Sequence, residues 1–222
     1  VFERRIGVCA GYANLAAAMG RAAGLEIVVV GGDARDDEGG ISGGGHAWNA
    51  VKLDERWYLM DVTWDSGTVS GRTFNKSYRT TYLFTPPKVF GMDHLPDDPR
   101  WQLRKAPLSR GDFIRQPMMS TRFYEMGMEL LRPDRSQVTV VSAFELELDN
   151  PRGRELRIDY VPKDSDGKMA RKCEVDGGQR LLARCAFEFE GQYEVRLLAV
   201  TERTASSWTG VYVGKIQVNA TR

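Results

Sequence analysis

Gly7-Val8-Cys9-Ala10-Gly11-Tyr12-Ala13-Asn14-Leu15 is the stretch on which the reading of this chain turns. Glycines at 7 and 11 flank a cysteine. From Ala10 to Ala23 the composition favours helix: Ala, Leu, Met and Arg recur, proline is absent, and Gly24 supplies a C-terminal stop. Cys9 then falls at a helix N-terminus, where unpaired N–H groups and the macrodipole favour a thiolate. Ala13, Ala16, Ala17 and Gly20 recur at helical spacing, a small-residue face that lets a sheet approach closely. A lone cysteine is more often a small buried hydrophobe than a nucleophile. What lies downstream reverses those odds.

Working outward, His46-Ala-Trp-Asn-Ala-Val51 and Tyr58-Leu-Met-Asp61-Val-Thr-Trp64 read as parts of two strands, His46 to Leu53 and Trp57 to Thr63. The polar Asp54-Glu55-Arg56 between them reads as the hairpin turn. Alternation puts His46 on the face of Trp48, and Asp61 on that of Trp57 and Thr63. Paired positions in an antiparallel ladder sum to a constant, so His46 and Asp61 share a face only if that constant is odd. A loop with an even residue count gives this; a loop of three, Asp54 to Arg56, does not. In a compatible register Asp61 reaches the imidazole and sets its tautomer. The bland alternative is a polar strand histidine and a turn acid. The chain has only two histidines, and one of them falls here. A thiol, a base and an orienting acid are what nucleophilic thiol catalysis requires.

Gly-Val-Cys-Ala-Gly-Tyr-Ala at 7–13, His-Ala-Trp-Asn-Ala-Val at 46–51 and the acid of Leu-Met-Asp-Val-Thr-Trp at 59–64 together resemble the three signature blocks of the transglutaminase-like superfamily. That resemblance implies a papain-like fold and a triad of Cys9 as nucleophile, His46 as general base and Asp61 as orienting acid. The Asp-Val-Thr-Trp run at the acid, with Tyr-Leu-Phe-Thr-Pro-Pro-Lys-Val-Phe at 82–90 and His-Leu-Pro-Asp-Asp-Pro-Arg-Trp-Gln-Leu at 94–103, is most similar to the kyphoscoliosis-peptidase branch. A β-domain after the catalytic core is implied with it. The resemblance covers the first half of the chain well and the second half loosely. Asp65 stands where the family pattern carries glycine. Only eight residues precede Cys9, whereas the family places helices there that often supply a second oxyanion donor. Val1 is not an initiator, so the chain reads as a fragment or processed product, and a preceding segment or partner chain is expected to complete the fold. One missing oxyanion donor costs about a hundred- to thousand-fold in turnover.

The remaining features bound these expectations. Hydrophobic residues make up 42% and charged residues 27%, ordinary for a globular protein of one large or two modest domains. With 31 basic and 30 acidic residues, net charge +1, nothing points to nucleic acid. No apolar run is long enough to cross a bilayer. Three cysteines make no disulfide framework. A hairpin centred on Gly177–Gly178 would pair Cys173 with Leu182, so free thiols and a reducing compartment are expected. Gly31 to Gly45 reads as a mobile glycine-rich loop able to gate the site. Its Asp33, Asp36, Asp37 and Glu38 lack calcium-loop spacing, and no phosphate-cradle pattern appears, so no metal or cofactor is expected. His94 reads as a structural residue of a wrap-around connection, hydrogen-bonded or exposed, rather than a catalytic one, because no thiol or paired acid is expected beside it.

From about Gln116 alternating runs recur at Val138 to Leu148, Glu155 to Val161, Lys168 to Val175, Arg180 to Glu188, Tyr193 to Val200 and Val211 to Val218. Phe-Glu-Gly-Gln-Tyr-Glu-Val at 189–195 resembles the tyrosine corner of immunoglobulin-like folds. The expected architecture is α+β: a transglutaminase-like catalytic domain over 1–115 and an Ig-like β-sandwich over 116–222. The expected activity is cysteine-dependent acyl transfer on a protein or peptide substrate by hydrolysis. The alternatives are glutamine crosslinking and a non-catalytic binding scaffold.

Overall fold

In the computed structural model, α1 spans Cys9–Ala22 and ends where its sequence stops favouring helix. Gly24 takes a φ of +80°. The Leu25 amide then donates to the Gly20 carbonyl and the Gly24 amide to that of Arg21, closing the helix in a Schellman turn. Described are residues 6–36, 39–41, 43, 45–71, 73–163, 165 and 169–222. They divide into two units, residues 1–114 and 115–222. Strand accounts for 50% of the described residues and helix for 16%, more β-rich than an α+β reading expects.

In the first unit α1 lies on a sheet ordered β6-β3-β2-β1-β7, formed by β1 (Glu26–Ala34), β2 (His46–Leu53), β3 (Arg56–Met60), β6 (Leu83–Thr85) and β7 (His94–Pro96). A separate hairpin joins β4 (Gly67–Ser70) and β5 (Thr73–Lys76). Buried Ala13 and Ala17 bring α1 onto the sheet, and a Cβ on Gly20 would stand 2.9 Å from Ile27 Cγ2. Ala17, Ile27 and Val51 form the core on that face. Val30, Trp48, Ala50, Leu59 and Phe90 form the core on the other.

Two expectations about this sheet are corrected. The β2–β3 loop has two residues, not three: Leu53 pairs with Arg56, and Asp54 and Glu55 take φ values of 45° and 63°. Two left-handed residues make a turn whose twist matches the flanking strands. The ladder constant is therefore odd, the register that lets His46 and Asp61 share a face. The glycine-rich stretch also starts later than expected, because Gly31 to Ala34 belong to β1. Gly32 pairs with His46 on one side and Pro96 on the other. A Cβ there would stand 2.2 Å from the Leu95 carbonyl oxygen, so the glycine serves close strand approach rather than looseness. Asp37, Glu38, Ser42 and Gly44 of that stretch lie outside the described residues.

The second unit has two sheets. One runs β10 (Gln137–Val141), β17 (Trp208–Thr221), β16 (Gly191–Arg203), β12 (Leu156–Pro162), β13 (Arg171–Lys172), with β8 (Met118–Met119) beside β17. The other runs β14 (Glu174–Gly177), β15 (Arg180–Ala186), β11 (Ala143–Asp149), β9 (Glu129–Arg132). Their inner faces share one core, including Leu146, Ala183, Val195, Leu197 and Ile216. Two runs that read as single strands each serve both sheets. The first breaks at Ser142, whose φ is 61°. The second crosses at Cys173, whose amide donates to the Ile158 carbonyl while Glu174 already pairs with Arg184. The free-thiol expectation fails at the same place: Cys173 and Cys185 form a disulfide with Cα atoms 4.4 Å apart. The turn lies further along than a Gly177–Gly178 centre. Gly177 pairs with Leu181 and Glu174 with Arg184, so the next position sets Cys173 opposite Cys185. The argument for a reducing compartment goes with it. Tyr193 Oη donates to the Phe189 carbonyl at 2.8 Å, at the start of β16.

Candidate active site

Three elements deliver the candidate triad to one end of the sheet. Gly20 of α1 lies against Ile27 at the start of β1, and Asn49 Nδ2 donates to the Ala13 carbonyl at 2.9 Å. Asn49 faces Val29 across the ladder, so α1 runs antiparallel to β1. The N-terminus of α1 is thus at the end where β1 finishes, β2 begins and β3 finishes. Cys9 opens α1, His46 opens β2 and Asp61 follows β3. Buried Asn49 also donates to the Val28 carbonyl at 3.1 Å, tying helix and sheet together.

Asp61 leaves the strand early because its own carboxylate turns the chain. Oδ1 accepts from the amides of Thr63 at 2.8 Å and Trp64 at 3.1 Å. Oδ2 then faces the sheet. His46 Nε2 lies 2.6 Å from it, and His94 Nε2 lies 3.1 Å from the same oxygen. The Asp61 side chain is fully buried and that of His46 is 9% exposed. Burial alone would raise the Asp61 carboxyl, but its bonds to His46 and His94 and their charges hold it well below the usual carboxylate range. With Nε2 committed to Asp61, His46 Nδ1 has no hydrogen-bond partner among the described residues.

His94 is hydrogen-bonded, one of the two states the sequence reading allows, but the expected absence of a paired acid is corrected. The residue sits on β7, pairing with Ala34 at the edge of β1, and is fully buried. Its Nδ1 lies 2.6 Å from Asp93 Oδ1, and Asp93 Oδ2 accepts from Tyr82 Oη at 2.6 Å. Burial works against a charge on His94, yet the charge of Asp93 and the bonds to Asp61 and Asp93 win, and its pKa is pushed up to about 9. Its acids are Asp93, its neighbour in sequence, and Asp61, which also bonds His46. The signal available beforehand was the Asp-His dipeptide ahead of a short apolar run.

Asp65, where the resemblance leads one to expect glycine, is buried and structural. Its carboxylate accepts from the Tyr82 amide at 3.0 Å, and its carbonyl accepts from the Arg79 amide at 2.8 Å. It therefore anchors the segment that carries Tyr82 to Asp93. Burial raises its carboxyl above the usual range, against the pull of that amide.

Cys9 is half-buried and free. No side chain caps the first amides of α1. Among the described residues no hydrogen bond joins Cys9 Sγ to His46. The bonded cluster comprises His46, Asp61, His94, Asp93 and Tyr82. Donor atoms of His46, Asp61 and His94 lie within 4.8 Å of one another. The 2.6 Å contact between His46 and Asp61 is a shared proton's distance, shorter than two ligands of one tetrahedral ion adopt at about 2.0–2.2 Å from it. In the acidic stretch Asp33 pairs with Arg110, and Asp36 Oδ1 accepts from the Gly40 amide at 2.8 Å.

Residues 1–62 match the Transglutaminase-like superfamily. The chain is similar to mouse kyphoscoliosis peptidase, with 40% identity over 141 residues, 60% of this chain and 21% of that protein. Human kyphoscoliosis peptidase is 39% identical over 141 residues, with the same shares covered. The Lim and transglutaminase domain protein ltd-1 of Caenorhabditis elegans is 28% identical over 126 residues, 49% of this chain and 17% of that protein. The chain thus spans 21% of the length of the kyphoscoliosis peptidases it matches.

Proposed function

We propose that this chain, which belongs to the transglutaminase-like superfamily on the side of kyphoscoliosis peptidase, performs cysteine-dependent acyl transfer with Cys9 as nucleophile, His46 as base and Asp61 as orienting acid. The observation that carries the reading is the 2.6 Å bond from His46 Nε2 to a buried, ionised Asp61, which leaves Nδ1 as the basic nitrogen. The shared end of the sheet supports Cys9 as the thiol that Nδ1 serves. In the reaction Nδ1 takes the thiol proton and Sγ attacks an amide carbonyl carbon. The proton passes to the leaving amine and a thioester remains. Water resolves it in a peptidase or amidase; a second amine resolves it in a crosslinking enzyme. Similarity to kyphoscoliosis peptidases favours hydrolysis of a protein or peptide. In the second unit, the Tyr193–Phe189 bond beside buried Val195 supports an Ig-like sandwich that packs or binds and carries no chemistry.

The test is thiol reactivity. With Cys173 and Cys185 bridged, Cys9 is the sole free thiol. It should be alkylated by iodoacetamide well below pH 8, and an amide-derived covalent probe should add to it by mass spectrometry. Alkylation only above pH 8, with no probe adduct, would make the chain a binding scaffold.

A further inference from the structure

Both ring nitrogens of His94 face carboxylate oxygens, Nδ1 that of Asp93 at 2.6 Å and Nε2 that of Asp61 at 3.1 Å. An ionised carboxylate only accepts hydrogen bonds, so each nitrogen must donate, and a ring that donates twice is an imidazolium. The surrounding rings suit a cation. Phe90, Trp64, Trp48 and Tyr82 stand with centroids 4.1, 4.5, 5.0 and 5.3 Å from that of His94. His46 is 5.5 Å away, and the Arg35 amide donates to the Asp93 carbonyl at 2.8 Å.

We propose that His94 is a positioning residue, a buried imidazolium clamped between Asp93 and Asp61 that keeps Asp61 ionised and its Oδ2 turned to His46 Nε2. The role deepens the acyl-transfer reading and rests on it. The reason is tautomeric. A fully buried carboxyl with no cation beside it takes up a proton. A protonated Asp61 would donate to His46 Nε2, and the ring would then carry its hydrogen on Nδ1, the nitrogen that must accept the thiol proton. The charge on His94 prevents that inversion without touching the substrate. It persists because Asp93 balances it from behind, with Tyr82 Oη fixing the second Asp93 oxygen. The direction of the His94 shift, up to about 9, agrees with this.

The deciding measurement is nitrogen–proton NMR of the histidine rings in the unsubstituted chain, where two histidines give two ring systems. One ring should carry protons on both nitrogens at pH 7.5 and keep them until about pH 9. Finding both rings neutral at pH 7.5 would overturn the proposal, and this holds whether or not the chain turns over substrate. The kinetic arm uses His94→Gln and Asp93→Asn. His94→Gln should lower kcat by about a hundredfold with KM unchanged. It should also remove an alkaline limb near pH 9 from the wild-type pH–rate profile. Asp93→Asn should move that limb to lower pH. A fall in kcat with the limb unmoved would reduce His94 to a packing residue. A charged ring in a chain whose Cys9 never labels would sink the acyl-transfer reading and leave the clamp standing.

Discussion

Asp61 receives two amides on one oxygen and two imidazoles on the other, with no access to water. Replacing it with asparagine puts a donor where donors already point. Asp61→Asn should therefore lower turnover by roughly a hundred- to ten-thousand-fold through the wrong tautomer. It should also lower the unfolding free energy by about 3–5 kcal/mol, because His94 is left a buried cation with one partner fewer. Denaturant melts and kinetics on one preparation separate the two effects, and a variant as stable as the parent would contradict the coupling. Cys9→Ala should instead abolish thiol labelling with a stability change under about 0.5 kcal/mol, since a small half-exposed side chain leaves little cavity. The pH dependence has a definite sign. The pKa of His94 rises from 6.5 to about 9 on folding. Its contribution to stability is then fully present below 6.5 and lost as pH rises through about 9. Unfolding free energy measured across that window should decline, and Asp93→Asn should flatten the decline. Of these residues Cys9, His46 and Asp61 are legible from motif and spacing. His94 is not, because its partners come from a loop and from the end of another strand.

At the scale of elements, β1 was missed because its end falls in the glycine-rich stretch, while α1, β2 and β3 were readable because propensity, alternation and turn chemistry agree there. The turn length was not. Asp54-Glu55-Arg56 is uniformly polar, and only the left-handed backbone at Asp54 and Glu55 tells a two-residue loop from one of three. That difference decides whether His46 and Asp61 can meet at all. Glu55→Gly should stabilise the protein by about 0.5–1 kcal/mol by removing a side chain from a left-handed position, read as a higher midpoint in urea. Its exposed pairing with Lys52 offsets little. Gly32 is the opposite case. Gly32→Ala should cost about 1–3 kcal/mol and loosen β7, because the new Cβ meets backbone that cannot swing aside. If His94 keeps its ring protons to pH 9 in that variant, β7 is not held in place by Gly32.

For the whole molecule, the disulfide ties the crossing strand at Cys173 to β15. Reduction should lower the stability of the second unit by about 2–4 kcal/mol while Cys9 labelling persists, measured with and without dithiothreitol. Loss of labelling on reduction would mean that the thiol site depends on that bridge. Residue order alone carries the succession Cys9, His46, Asp61, the helix behind Cys9, the change of texture near Gln116 and the match of residues 1–62 to the Transglutaminase-like superfamily. These are local or one-dimensional properties: a motif, a propensity, a period. The odd ladder register, the pairing of Cys173 with Cys185, the two sheets shared by single runs and the place of His94 between two acids come from the folded chain alone. Each depends on which backbone lies beside which across a sheet. That choice is made by left-handed turns, missing Cβ atoms and shared burial, none of which leaves a periodic trace in the order of residues.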